Sequence, residues 1–274
     1  MGGVGERLRL VSKAVSDARQ TLEFLDQAVI VTGATKGIGR ATALAFAREG
    51  ANILISGRDE AELDRLSTEI EGAGVRAVKL ITDLAMDESP MRIADTSMEA
   101  FGRIDVLINN AAIIHDSFDL AEFDPTLWQQ VIKVNLVAPA MLSRAVLPHM
   151  IARGAGKIVN MSSVGGTRGG AGRSAYRAAK AGLINLTQST AAEVKRHGID
   201  VNCICPGATD TEGFRHAFDH RGRAQDANLM APGEIAELAL FLASQRSSAV
   251  TGTAIEAFGA SNPIFQSGSA KGKI

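Results

Sequence analysis

From position 28 onward, hydrophobic residues recur in two alternating rhythms. Short apolar runs occupy 28–32, 52–56, 77–81, 106–109, 157–161, 200–204 and 253–257. A strand covered on both faces needs such a run, because both sets of alternate side chains meet helices. Between these runs the apolar positions return every three or four residues, the period of an amphipathic helix. The pattern predicts helices over 37–49, 60–71, 89–101, 124–153, 175–196 and 232–243, the fourth bent at Pro139. Gly50 suits a helix C-terminus, and Pro232 an allowed first-turn position. Strict alternation of strand and helix predicts an α/β fold: about seven parallel strands in one doubly wound sheet, helices on both faces, one domain.

The two ends fall outside that rhythm. Leu8, Val11, Val15, Ala18, Leu22 and Leu25 are spaced by three and four, which makes residues 1–24 a helical extension. It serves either as a subunit contact or as a loosely docked appendage. Residues 25–260 form the domain, with a loop over 208–230. Residues 261–274 are rich in Gly, Ser and Lys and read as a flexible tail.

Charge and composition mainly remove possibilities. A net charge of −1 gives no general pull toward nucleic acid or membranes. Trp128 and the phenylalanines form no stacking pattern beside a basic stripe, so no nucleic-acid partner is expected. No uninterrupted apolar run approaches the roughly 20 residues that span a bilayer, and Arg7, Arg9 and Lys13 break any signal-peptide core. Glu6 stands where a myristoylation start needs Ser or Thr. Cys203 and Cys205 alternate on one strand face and read as buried, reduced thiols in a cytoplasmic protein. His216 and His220 lack an evident third ligand, so no metal site is assigned. A hydrolase reading fails for want of a Gly-x-Ser-x-Gly elbow.

Two stretches carry chemistry. The first strand runs into Thr32-Gly33-Ala34-Thr35-Lys36-Gly37-Ile38-Gly39 and then a helix. Glycines permit positive φ and close backbone approach. The helix start aims free N–H groups at an anion such as a pyrophosphate. This is the position of the dinucleotide cradle in a Rossmann-type sheet. The second stretch is Tyr176-Arg177-Ala178-Ala179-Lys180, which holds the only tyrosine in the chain. Residues four apart share a helix face. An ammonium beside a phenol should lower the phenol pKa from about 10 and fit it for proton transfer.

With these motifs the chain resembles the short-chain dehydrogenase/reductase family, single-domain type, over about residues 25–258. The family's Thr-Gly-x3-Gly-x-Gly matches Thr32, Gly33, Gly37 and Gly39. Its Asn-Asn-Ala-Gly matches Asn109-Asn110-Ala111-Ala112, with alanine in the last place. Asn135 matches its long-helix asparagine, and Ser163, thirteen residues before Tyr176, its serine. Pro206-Gly207 and Thr211 match the segment after the sixth strand. The last strand departs, reading Glu256-Ala257-Phe258-Gly259-Ala260 where the family has Asp-Gly-Gly.

The resemblance implies hydride transfer between a nicotinamide and a ketone or secondary alcohol. It casts Tyr176 as general acid/base and Ser163 as a hydrogen-bond partner of the substrate oxygen. Lys180 lowers the tyrosine pKa and holds the nicotinamide ribose, and Asn135 anchors a water leading to solvent. Cofactor contacts are expected at Gly33, Thr35, Lys36, Gly37, Ile38, Gly39, Arg58, Asp83, Leu84, Asn110, Ala111, Tyr176, Lys180, Pro206, Gly207, Thr209 and Thr211. Related NAD enzymes place an acid at the end of strand two. Here Ser56-Gly57-Arg58 and Lys36 suit a 2′-phosphate, so NADP(H) is favoured over NAD(H). In the opposing reading Asp59 serves the ribose. Substrate-pocket walls are expected at 112–123, 164–174 and 208–230, the last bringing Phe214, Phe218, Arg215, Arg221 and Arg223. The resemblance also implies a homo-oligomer, dimer or tetramer. The competing function is a nucleotide-binding regulatory protein without turnover. Intact Ser163, Tyr176 and Lys180 argue against it.

Overall fold

The computed structural model describes residues 22–218 and 229–259. Most of the expected N-terminal helix, the tail and the loop tip with His220, Arg221 and Arg223 lie outside the described residues, as does the Phe218 side chain. Seven strands form one sheet: β1 (Ala28–Thr32), β2 (Asn52–Gly57), β3 (Ala77–Ile81), β4 (Val106–Asn109), β5 (Gly156–Met161), β6 (Ile199–Pro206) and β7 (Ala254–Ala257). Their order is β3-β2-β1-β4-β5-β6-β7, and every pairing is parallel. Connections leave β1 in one direction and return from β4 in the other. The C-terminal ends of β1 and β4 therefore open a crevice, where ligands of such sheets bind.

Period-two alternation decides which side chain meets which helix layer. Val29, Val31, Ile53, Ile55, Val106 and Ile108 enter one apolar cluster. There they meet α1 (Gly37–Arg48), α2 (Glu60–Gly72) and α8 (Pro232–Ala243) through Phe46, Leu63, Leu66, Ile70 and Leu240. Ile30, Leu54 and Leu107, one position out of phase, enter the other. That layer comprises α3 (Ser89–Phe101), α5 (Ala138–Arg153) and α6 (Ser174–Val194). Each such side chain, fully buried, contributes about 1.5–3 kcal/mol.

The long helix is not one uniform element. α4 (Pro125–Ile132) passes through a π turn at Lys133–Val137 into α5. The expected bend at Pro139 is thus a widening one turn earlier. Pro139 has no N–H for the residue 135 carbonyl and needs room for its ring. Between Pro125 and Arg153 the helix is also long and apolar enough to cross a membrane by length and composition, with a mean hydropathy of 1.3. The sequence expectation counted unbroken apolar residues, whereas an average tolerates a charge. Half of the 18-residue window that gives this value is buried inside the fold.

The N-terminal rim of the sheet carries two charge clusters. Asp105, before β4, accepts from Ala28 N at 2.8 Å, from Arg103 Nε at 2.7 Å and from Arg153 Nη1 at 2.6 Å. Asp200, in β6, accepts from Lys157 at 2.8 Å and Lys195 at 2.7 Å. Cys203 and Cys205 are buried and free, as expected.

Candidate active site

The turn after β1 is built to be approached. Gly33 and Gly37 have φ of +62° and +57°, a region that disfavours side chains. A Cβ on Gly33 would lie 2.7 Å from Ala111 Cα, and one on Gly37 3.0 Å from Thr211 Cγ2. Thr32 Oγ1 accepts from the Asn110 and Ala111 amides at 3.0 and 3.1 Å. Asn110 Nδ2 donates to the Thr32 and Gly33 carbonyls at 2.9 and 3.1 Å. The β1 and β4 loops are thereby stapled at the crevice. α1 starts after Lys36 with no side-chain cap and no acidic residue in its first turn. Its amides are left for an anion, so the loop fits a dinucleotide pyrophosphate.

A cavity of about 460 Å³ opens from this turn across the strand ends. It is bordered by Gly33, Thr35, Lys36, Gly37, Ile38, Arg58, Asp83, Leu84, Asn110, Ala111, Ser163, Tyr176, Lys180, Pro206, Gly207, Thr209 and Thr211. Two expected site residues do not border it. Gly39 faces inward, where a Cβ would lie 2.3 Å from the Gly33 carbonyl and 2.4 Å from Asn110 Nδ2. Its role is close packing beneath the turn. Asn135, in the π turn, is buried and grips the Ile113 backbone: Oδ1 accepts from Ile113 N at 2.7 Å, and Nδ2 donates to Ile113 O at 2.9 Å.

Ser163 stands two residues past β5, and its Oγ accepts from Gly165 N at 3.0 Å, capping a short 3₁₀ turn. The same hydroxyl is close enough to the Tyr176 phenol to act on its pKa. Lys180 is buried one helical turn from Tyr176, its Nζ 5.7 Å from the tyrosine ring centre. Nζ donates to Met161 O at 2.6 Å, and the Lys180 carbonyl accepts from Ser162 Oγ at 2.7 Å. Burial lowers the Lys180 pKa to about 8. Burial likewise pushes the Tyr176 phenol above its ordinary value, while Ser163, Arg173 and Arg177 act against that rise. The expected lowering by Lys180 is therefore corrected. In a dry site both neutral forms are favoured, and the groups easing phenolate formation are a hydroxyl and two arginines. Cys203 lies behind Lys180, its thiol pushed up by its hydrogen bond to Cys205 and by burial.

The entrance near β2 separates the charged candidates. Asp59 Oδ1 accepts from Glu62 N at 3.1 Å and caps α2. Asp83 Oδ1 accepts from Ala85 N at 2.9 Å. Lys36 is ion-paired with Glu212 at 2.8 Å, both side chains well exposed. Among the described residues Arg58 has no ion pair or hydrogen bond and is exposed on the cavity wall.

The substrate side is formed by Ile113, Ile114, Val164, Gly165, Gly213 and Phe214, with Arg173 and Arg177. A short helix, α7 (Glu212–Phe218), occupies the expected loop. Arg173 Nη2 donates to Ala217 O at 2.8 Å and ties that helix to α6. Arg173 lies within the expected 164–174 wall but was not singled out, and Arg177 was given no role. Their signal was available: they stand three before and one after Tyr176, on the same first turn. His115, in the 112–123 wall, is buried against Phe118 and Phe123 with its ring Nδ1 2.6 Å from Asp116 O.

Comparison with known proteins gives a consistent picture. Residues 27–222 match the short chain dehydrogenase family. A cis-4-hydroxycyclohexanecarboxylate dehydrogenase of Sinomonas cyclohexanicum is 39% identical over 235 residues, covering 84% of this chain and 94% of the relative. Levodione reductase superposes with a TM-score of 0.82 at 30% identity, over 85% of this chain and 96% of that one. A Beutenbergia cavernae structure described as an NAD(P)-dependent gluconate 5-dehydrogenase, holding NADP at low occupancy, has a TM-score of 0.80 at 33% identity. It covers 86% of this chain and 96% of its own.

Proposed function

The chain belongs to the short-chain dehydrogenase/reductase family, an NAD(P)-dependent oxidoreductase acting on CH–OH and C=O groups, and from that premise we propose an NADP(H)-preferring carbonyl reductase or alcohol dehydrogenase. The single observation that carries the reading is convergence. Ser163, Tyr176 and Lys180 border the same cavity as the glycine turn and the uncapped start of α1. When bound, the dinucleotide supplies the two-electron redox chemistry.

The residues of this chain supply the rest. Tyr176 gives a proton to the substrate oxygen in reduction and takes it back in oxidation. Ser163, which borders the same cavity beside the tyrosine, orients that oxygen and supports its developing charge. Lys180 is held by Met161 O and, with a pKa near 8, can exchange a proton close to neutrality. Asn135 acts through Ile113, fixing that part of the cavity wall. Arg58, exposed at the β2 end, supports the NADP preference because a planar guanidinium meets a phosphate with two parallel donors. Asp59 is engaged as a helix cap, which weakens the NAD reading.

The test is NADPH consumption over a panel of ketones, with Tyr176→Phe as control. Turnover that Tyr176→Phe reduces about 10²- to 10⁴-fold is expected, the usual range for a general acid. Cofactor binding with no turnover of any carbonyl would overturn the reading. We further infer a homo-oligomer in the cytoplasm. In support, Met141 and Ile151 of α5 remain 41% and 39% exposed, and both cysteines are free thiols.

A further inference from the structure

We propose that Arg177 is a positioning residue for the reaction, a clasp that fastens the glycine-rich segment after Ser163 to α6 and so sets the substrate wall beside Tyr176. The proposal rests on the oxidoreductase reading above and goes past it to a residue that reading does not use.

Residues 165–172 read Gly-Gly-Thr-Arg-Gly-Gly-Ala-Gly, and 167–171 are exposed. So many glycines make the stretch costly to order, because each gives up more backbone freedom than any other residue. Both ends are fastened. At the start, Thr167 N donates to Val164 O at 3.3 Å, and Gly166 sits against Lys180, where a Cβ would lie 2.7 Å from the carbonyl carbon. At the end, Gly172 O accepts from Phe118 N at 2.9 Å. The middle is held by Arg177, whose Nη1 donates to Arg168 O at 2.9 Å. Among the described residues no other hydrogen bond reaches Arg168 or Gly169.

The arginine meets the segment along its whole length. A Cβ on Gly165 would lie 3.3 Å from Ser163 Oγ, 3.7 Å from Tyr176 Cε1 and 4.0 Å from Arg177 Cγ, so the stem stands beside the reacting groups. The guanidinium lies on Gly170, where a Cβ would come within 2.6 Å of Cζ and Nη2. Gly170 has no positive φ, so what keeps a side chain out is the arginine. Arg177 Nε is buried without a partner. An unmade donor is costly, and a swing of the guanidinium into water would relieve it. The group nevertheless stays between Gly170 and the Arg168 carbonyl. Arg177, Val164 and Gly165 all border the cavity. Loosening the segment therefore loosens the wall that a substrate meets.

The experiment uses the full chain and three variants: Arg177→Met, Arg177→Lys and Gly170→Ala, the last placing a methyl where the guanidinium lies. Trypsin cuts after arginine, so cleavage after Arg168 breaks the peptide whose carbonyl the clasp holds. Mass spectrometry of timed digests should show that bond cut about tenfold faster in Arg177→Met and Gly170→Ala, the size of a charge-assisted hydrogen bond. Cleavage elsewhere and Tm should change little. With NADPH and either cyclohexanone or acetophenone, both variants should lose about tenfold in kcat/KM, mostly through KM, while the Kd for NADPH holds. Arg177→Lys should recover part of both effects. It should also keep the wild-type pH profile. Reduction slows as pH rises through the phenol pKa, and losing the nearby charge in Arg177→Met should move that fall to higher pH. Unchanged cleavage after Arg168 in Arg177→Met and Gly170→Ala would overturn the proposal, as would faster cleavage with wild-type KM. If Arg177→Met fails to fold, Gly170→Ala decides by the same two readouts. A wild-type enzyme that reduces no carbonyl would strike the oxidoreductase reading instead, and the cleavage rate would then decide the clasp alone.

Discussion

Lys180 Nζ stands 5.7 Å from the Tyr176 ring centre and directs a 2.6 Å hydrogen bond to the Met161 carbonyl instead. The pair is often imagined as an ammonium resting on a phenolate. Here both groups are desolvated, and burial opposes charge on each of them.

That burial predicts a pH-dependent stability. With a folded pKa of about 8 against an ordinary 10.5, Lys180 binds fewer protons folded than unfolded between those values. Stability must then rise with pH across that window, and the penalty for burying the ammonium is fully present below pH 8. Relative to Lys180→Met, the wild-type protein should gain about 2 kcal/mol between about pH 7 and about pH 9.5. Urea unfolding of both proteins at the two pH values measures this. A parallel response would show that Lys180 is not desolvated. Tyr176 titrates in both proteins, so its opposite trend above pH 10 largely cancels.

Cofactor choice should depend on Arg58. Arg58→Ala is expected to lower kcat/KM for NADPH at least about tenfold more than for NADH, since a charge-assisted bond to phosphate is removed from only one of them. Equal losses with both cofactors would place the 2′-phosphate elsewhere.

Gly39 offers a purely steric prediction. In Gly39→Ala the new methyl meets the Gly33 carbonyl at 2.3 Å and Asn110 Nδ2 at 2.4 Å unless the turn moves. Overpacking of this kind costs about 1–3 kcal/mol. Thermal unfolding should show that loss, and titration by cofactor fluorescence should show weakened NADPH binding, because the stapled loops shift together. A variant with native Tm would mean the turn yields freely.

Asn135→Ala removes both clamps on Ile113. Two backbone groups lose their partners, with a cost of about 1–3 kcal/mol each if they stay dry. Lower stability and a raised KM for the carbonyl substrate are expected, whereas cofactor Kd should change less. An unchanged KM would separate Asn135 from the substrate wall.

The architecture was legible because its signal is redundant. In β1, β2 and β4 each apolar residue contributes to one of two helix layers, and alternation alone assigns it, as with Val29 against Ile30. The cradle was legible from its place between a first strand and a helix, the Tyr176–Lys180 pair from helix spacing, and Ser163 only through the family resemblance. What could not be read depended on distances between remote segments. Nothing local tells that Lys36 pairs with Glu212, that Gly39 packs on Asn110, or that Asn135 holds Ile113. The sign of the Tyr176 shift was missed for the same reason. Spacing gives the neighbour, but only the assembled fold sets the dielectric around it.

The charge clusters around Asp105 and Asp200 sit at the opposite edge of the sheet from every residue that borders the cavity. Part of the fold's durability is thus inherited through addresses in the chain separate from those that set selectivity. Lineages, or engineers, can harden the protein from its floor without retuning what it accepts at its mouth.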